Sequence, residues 1–308
     1  MISYLIKRLL LFIPTILAAV FAVYAVMELT PGDPARIILG EGASEAQLAI
    51  LRRDLSLDRP FPVRYAVYVY RLFTRFDLGD SYRRRTPALP DILAKFPHTL
   101  TLAFWAVLLS ACIGVPLGLL QAARRGSALD VLSGAAALGF ASIPSFLLGT
   151  LLILVFSLNY QALPAGGAGT WRHYILPSAA LALPSAAEVM RLCRSITLEF
   201  ISRDYVTTAW AKGAGEARAL VHHAFRNALP PVITALAMRF GYLLGGAVIT
   251  ETVFAMPGLG THLVNAIRAK DTPVVLASTV FLSLFFCLIM LLADICCAFL
   301  DPRLRERR

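Results

Sequence analysis

The chain has 308 residues, of which 58% are hydrophobic and 16% charged. A water-soluble domain of this length needs a far smaller apolar share, and here the excess is gathered into long uncharged runs, the pattern of segments that cross a bilayer. The net charge of +10 sits between those runs, with no basic stripe interleaved with aromatics, so it argues for membrane topology and against nucleic-acid binding.

Residues 1–8 precede the first run. Lys7 and Arg8, followed by an apolar stretch over 9–27, have the outline of a signal peptide. The stretch is longer than the usual hydrophobic region of about 7–15 residues and no A-x-A site follows it, so a retained first span over 9–29 is expected. Pro14 is tolerable there because neighbouring helices satisfy freed carbonyls. A second span is expected over 99–121, a third over 131–158 with a kink near Pro144, and a fourth over 174–192, which contains Pro177 and Pro184 and carries Glu188. The fifth runs over 228–250, interrupted by Arg239, and the sixth over 273–300, with Asp294 near its end. The expected fold is an all-α integral membrane protein with six spans.

Six spans put both ends of the chain on one side. If residues 1–8 and 301–308 are cytoplasmic, the short cytoplasmic segments hold 14 Lys and Arg, from Lys7 and Arg8 through Arg124, Arg125, Arg191 and the 193–227 region to Arg303, Arg305, Arg307 and Arg308, while the short outer loops hold only Arg172, Arg268 and Lys270. That asymmetry predicts cytoplasmic termini, with 30–98 and 251–272 outside. The 30–98 segment is also rich in Arg, but segments longer than about 60 residues translocate largely regardless of charge. Within it, Ser44 with Gln47 three residues on predicts a capping box ahead of Leu48, Leu51 and Leu55. Pro60 opens a second predicted helix bearing Tyr65, Tyr68, Tyr70, Phe73 and Phe76. That helix is readable as an element lying at the membrane surface or as a docking face for an extracytoplasmic partner.

No G-x-x-x-x-G-K-[ST], H-E-x-x-H or G-x-S-x-G occurs, so neither a phosphate loop nor a zinc or serine hydrolase site is expected. The five histidines do not cluster by spacing, and the five cysteines (Cys112, Cys193, Cys287, Cys296 and Cys297) include no C-x-x-C, so no catalytic or metal residue is predicted. The connection over 193–227 is long for a passive loop. It reads Asp204-Tyr205-Val206-Thr207-Thr208-Ala209-Trp210-Ala211-Lys212-Gly213-Ala214-Gly215-Glu216. A short helix is expected to end at Gly213, where glycine permits a positive φ, and a second to run from about Glu216 to Asn227.

Residues Ala209 to Gly213, with Arg226-Asn227-Ala228-Leu229-Pro230 after them, resemble the cytoplasmic loop of ABC importer permeases in the dipeptide/oligopeptide/nickel branch. The same branch is matched by Leu29-Thr30-Pro31-Gly32-Asp33-Pro34, Asp77-Leu78-Gly79, Gly245-Gly246, Glu251-Thr252-Val253-Phe254, Pro257-Gly258-Leu259-Gly260 and Leu300-Asp301-Pro302-Arg303. These motifs cover the whole chain in order and are most similar to the B-type permease, which begins with a span followed by a large outer loop. Thr207 and Thr208 depart from the broader E-A-A-x-x-x-G pattern, a departure common in this branch. The resemblance implies a second homologous permease, two ATPase subunits that carry the ATP and Mg, and an extracytoplasmic solute-binding protein. It assigns ATPase coupling to Val206, Ala209, Lys212, Gly213, Ala214 and Glu216, and short peptides or similar small solutes as cargo. Nickel or a metal chelate is the alternative cargo. A membrane-embedded enzyme would need paired catalytic groups at one depth, and a secondary transporter inverted repeats.

Arg239 has 11 uncharged residues on either side. An Arg at a helix centre costs roughly 2.5–3.5 kcal/mol, so it is expected either to line the pathway or to pair with Glu188, Glu251 or a partner permease. Gly245 and Glu251 complete the expected pathway set. Glu251 stands at the predicted C-terminal end of span five, where the helix dipole disfavours an anion, so a specific partner is expected.

Overall fold

In a computed structural model of the chain, residues 2–300 are described. The motif residues Asp301-Pro302-Arg303 and the cationic tail after them lie outside the described residues. The fold is all-α, and among the described residues the only extended pairing is an isolated antiparallel bridge between Asp80 and Pro87. Among the described residues, five helical stretches are long and apolar enough to cross a bilayer, and one bent helix pair makes a sixth if it counts as a single span.

The chain divides into two compact units. One comprises residues 2–97 and 257–287. Its first helix, α1 (Ile2–Leu29), is followed by α2 (Pro34–Leu39), α3 (Glu45–Asp54) and α4 (Phe61–Arg75). The capping box at α3 forms as predicted, with Ser44 Oγ accepting from Gln47 N and Gln47 Oε1 accepting from Ser44 N. The α4 aromatics divide by face. Tyr65 and Phe61 meet Phe21 and Tyr24 of α1 edge-on, and the Tyr65 hydroxyl donates to Leu17 O at 3.2 Å, whereas Tyr70, Phe73 and Phe76 stay exposed. Arg64 pairs with Glu28 at the end of α1.

Two consecutive buried residues fasten this unit. The Lys270 ammonium donates to Met27 O and Thr30 O at 3.2 and 2.5 Å, supplying a cation where the last carbonyls of α1 gather negative potential. The Asp271 carboxylate accepts from Ser81 Oγ at 2.5 Å and Tyr82 N at 2.9 Å. Both follow α13 (Leu259–Arg268) and lead into α14 (Thr272–Leu300). On α13, His262 is buried and its Nε2 has no partner.

The other unit comprises residues 98–256 and 288–300, with α5 (Ala88–Ala123) and α14 each contributing one end to each unit. Here α6 (Ala128–Ser142), α7 (Ser145–Leu152) and a π-helical turn (Ile153–Asn159) replace the expected third span. A bend of 96° separates the two halves, far beyond the kink expected near Pro144. The cause is local. Pro144 cannot donate, and it forces Ile143 into an extended conformation (φ −85°, ψ 122°), so a new helix must start at Ser145.

A 3₁₀ turn (Trp171–Tyr174) leads into α8 (Ile175–Ile201), which packs against α6, against α7 and against the helical residues 219–246. Its small residues let α5 approach backbone to backbone. A Cβ on Gly114 would lie 2.6 Å from Ala186 O, and one on Gly118 2.6 Å from Met190 O. These glycines form a Gly-x-x-x-Gly face whose packing replaces the hydrophobic drive that lipid does not supply. After α9 (Asp204–Ala211) come α10 (Glu216–Arg218), a π-helical segment (Ala219–Phe225) and α11 (Arg226–Gly246), in one unbroken helical run. The expected stop at Asn227 is therefore corrected: the chain enters span five without a loop. A short helix α12 (Val248–Val253) follows a break at Ala247.

Two outcomes are expected. Gly118→Val should lower the stability of the detergent-purified protein by about 1–3 kcal/mol, because α8 backbone cannot yield to a branched side chain. An unchanged melting temperature would refute this close approach. Burial, with Arg84 adding to it, holds the His262 imidazole below its ordinary 6.5, while Lys95 also lowers it and Asp91 and Asp271 oppose. The unfolded chain then binds the proton more readily, so stability is full above pH 6.5 and falls as pH drops below it. His262→Gln should flatten that acid limb in a melting-temperature profile, and a superimposable profile would contradict it.

Candidate functional site

Arg239 lies on α11 and Glu188 on α8, and their side chains form an ion pair. The guanidinium carbon also sits 5.6 Å from the Tyr242 ring centroid. One turn of α11 thus presents Met238, Arg239 and Tyr242 to α8, where Glu188, Val189, Arg191 and Leu192 complete a cleft of about 430 Å³. Neither charge is sealed in: side-chain exposure is 23% for Arg239 and 43% for Glu188. The two alternatives weighed for Arg239 therefore coexist, since it has its carboxylate partner and still lines a cavity. Such a pair can exchange partners with an ionic solute without leaving a bare charge in hydrocarbon.

Gly245 is exposed, and no atom lies within 4 Å of where its Cβ would be. Glu251 is fully buried, with Thr99 Oγ1 donating to it at 2.5 Å, and stands apart from the residues of the Arg239 cleft. Its dipole environment differs from expectation. The break at Ala247 puts Glu251 in the first turn of α12, where an anion is favoured, rather than at the end of span five. Beside it, Phe254 O accepts from Gly167 N at 2.9 Å, and the Phe254 ring abuts Gly149 of α7.

The coupling residues divide between anchors and surface. Val206 is buried against Ala219 and Ala224 of the π-helical segment and Phe200 and Ile201 of α8, and Ala209, one helical turn on, is buried as well. Tyr205, Trp210, Lys212, Gly213 and Glu216 are exposed, and Ala214 is half-buried. Gly213 has φ +86°, and its N–H donates to Trp210 O at 2.8 Å, closing the helix as expected. The Tyr205 hydroxyl accepts from Asn227 Nδ2 at 3.3 Å, which gives a role to one residue of the Arg226–Pro230 motif. Burial raises the Tyr205 phenol above its ordinary pKa, and that hydrogen bond opposes it.

Sequence reasoning missed three arrangements. Gly114 and Gly118 carried a visible signal in their spacing. The Lys270–Asp271 fastening and the bidentate pair of Arg194 with Asp130, at 2.8 Å for each bond, had none. Among the described residues, no three His, Cys, Asp or Glu groups stand close enough to hold a metal ion.

Bent and unbroken spanning helices around a charged intramembrane cleft, with an exposed short helix between spans, define a multi-pass membrane permease. Residues 1–103 match the family described as the N-terminal membrane component of binding-protein-dependent transport systems, and residues 114–306 match the binding-protein-dependent transport system inner membrane component. The chain is 38% identical over 307 residues to the glutathione transport system permease protein GsiC of Salmonella typhimurium, Pectobacterium atrosepticum and Escherichia coli, with 100% of both chains covered. In fold it is similar to the inward-facing MetNI methionine ABC transporter in its CY5 native crystal form (TM-score 0.57, 20% identity, covering 68% of this chain and 96% of that one). A crystallised amino acid ABC transporter with histidines is also similar (TM-score 0.51, 16% identity, 70% and 94%). The chain belongs to the binding-protein-dependent transport system inner membrane component family, as a permease subunit of the peptide type of ABC importer. It is a transport subunit in the inner membrane and not an enzyme, so the membrane-enzyme and secondary-transporter alternatives fall.

Glu188→Gln and Arg239→Gln should each reduce transport by about tenfold or more, since each leaves the other charge unpaired at membrane depth. The exchanged pair Glu188→Arg with Arg239→Glu should recover part of it if pairing matters. Initial uptake rates in reconstituted vesicles measure this, and wild-type rates in both single variants would remove the cleft from the mechanism.

Proposed function

We propose that this permease, with both termini cytoplasmic, forms with a second homologous permease the pathway for short peptides, with glutathione-like tripeptides as the leading cargo. An extracytoplasmic binding protein delivers the solute on the side of residues 30–98 and 251–272. Two ATPase subunits, carrying ATP and Mg, receive the exposed face of α9. The cargo class is supported by full-length similarity to permeases whose names specify glutathione. A small peptide carries carboxylates and an ammonium, and Arg239 and Glu188 offer one counter-charge to each.

The observation that carries the reading is mechanical continuity. Val206 seats α9 on the π-helical segment Ala219–Phe225, and that segment runs without a break into the helix that bears Arg239. A displacement of α9 therefore has a continuous helical route to the cleft, with the π-helical register as the place where the run adjusts. Closure of the ATPase pair would pull on α9, and the spans would rock between inward-open and outward-open arrangements. Gly245, exposed on the same helix, is assigned to the pathway surface. Lys212, Gly213, Ala214 and Glu216 are assigned to the ATPase contact, with Val206 and Ala209 as its support.

The test uses the assembled importer in proteoliposomes, supplied in parallel with labelled glutathione, a dipeptide and nickel ion. Glutathione or dipeptide uptake is expected to depend on ATP and on the binding protein. Uptake of nickel alone would replace the cargo assignment. Gly213→Pro cannot adopt the observed φ, because the pyrrolidine ring holds φ near about −65°. It should leave ATP hydrolysis in place while uptake falls by about tenfold. Undiminished ATP-driven uptake in that variant would remove α9 from the coupling scheme.

A further inference from the structure

At the turn between α5 and α6, a second cleft of about 450 Å³ opens between those helices and α8. It has three features that the transport reading leaves unused. The first is excess positive charge. Arg194 and Arg191 line the cleft and Arg125 stands within electrostatic reach, yet one carboxylate, Asp130, answers them, and Arg194 takes both of its oxygens. Arg191 is exposed and has no ion pair among the described residues.

The second feature is an unmade hydrogen bond on the lining. Gln121 is 1% exposed. Its Nε2 donates to Ser133 Oγ at 2.8 Å and to Asp130 O at 3.3 Å. Ser133 Oγ spends its own proton on Leu129 O, so it must accept from the amide, which fixes which end of Gln121 is nitrogen. The Oε1 atom is left with no partner, although buried acceptors are rarely left unpaired. That atom is closed to solvent, so the amide marks an imperfectly satisfied floor beneath the cleft.

The third feature is an apolar wall. Val131 and Leu138 of α6 are 64% and 55% exposed and belong to a helix apolar enough for the membrane. Gly134 lies between them, and only Gln121 Nε2, at 3.8 Å, comes near the place of its Cβ.

A phosphate and an acyl chain in one molecule describe a phospholipid, and the surplus of guanidinium groups favours an anionic one. We propose that this cleft holds the headgroup of a phosphatidylglycerol-type lipid. Its phosphate lies against Arg191, and one acyl chain runs along Val131 and Leu138. The lipid would tie the α5–α6 turn to α8, the helix that also carries Glu188.

The assembled importer is purified in detergent, and lipid retention is read by native mass spectrometry after addition of phosphatidylglycerol or phosphatidylcholine. Wild type is expected to retain the anionic lipid preferentially. Arg191→Gln should lower that retention by about fivefold, the contribution of one basic side chain near a lipid phosphate. Gly134→Leu fills the cleft and improves helix propensity. It should expel the lipid without touching the Arg239 cleft that Arg191 also borders. Soluble glycerol phosphate should not compete. Equal retention of the two lipids by wild type, or unchanged retention in both variants, overturns the proposal. Displacement by glycerol phosphate replaces the lipid with a free phosphate ester, and dissociation of the permease pair by Gly134→Leu reassigns the cleft to the partner subunit.

Discussion

Hydrocarbon offers no hydrogen bonds, so each polar group that this chain carries at membrane depth must find its partner within protein. The pairings follow from that constraint. Arg239 meets Glu188, Glu251 receives the Thr99 hydroxyl, and Arg194 takes both oxygens of Asp130. Two of the three involve α8, which meets α11 at Glu188 and α6 at Arg194 and is approached to backbone distance by Gly114 and Gly118 of α5.

The same constraint explains how a moving part is tolerated. Irregular backbone at membrane depth survives where protein or a cavity covers it. The break at Pro144, the two π-helical segments and the break at Ala247 all lie in the unit that also contains α9 and the Arg239 cleft. The other unit is fastened by the buried Lys270 and Asp271 and includes the side-chain-capped helices α2 and α3. Irregular backbone thus gathers in one unit of the chain.

Much of the fold was readable in advance. Long uncharged runs place helices without help from tertiary contacts, because a bilayer permits little else. The capping box at Ser44 and Gln47 and the turn at Gly213 were readable because both are local devices, satisfied within a few residues. The bend expected near Pro144 in the third span was underestimated because proline's effect depends on what surrounds it. Pro184 sits inside an intact α8, whereas Pro144 breaks the chain by 96°. The end of the helix before span five was misplaced at Asn227, since no local signal announces a π-helical continuation.

The candidate site divides along the same line. Composition, spacing and motif order by themselves determined a multi-pass permease with a short helix between spans four and five and a charged residue in span five, since each is a property of consecutive residues and the environment they require. Only the tertiary structure decided that Arg239 meets Glu188 rather than Glu251, that Val206 and Ala209 face inward, and that Glu251 is closed off beside Thr99. Those outcomes depend on which helices approach within a few ångströms of one another. That approach is set by side-chain volume across distant segments and cannot be read along a single one.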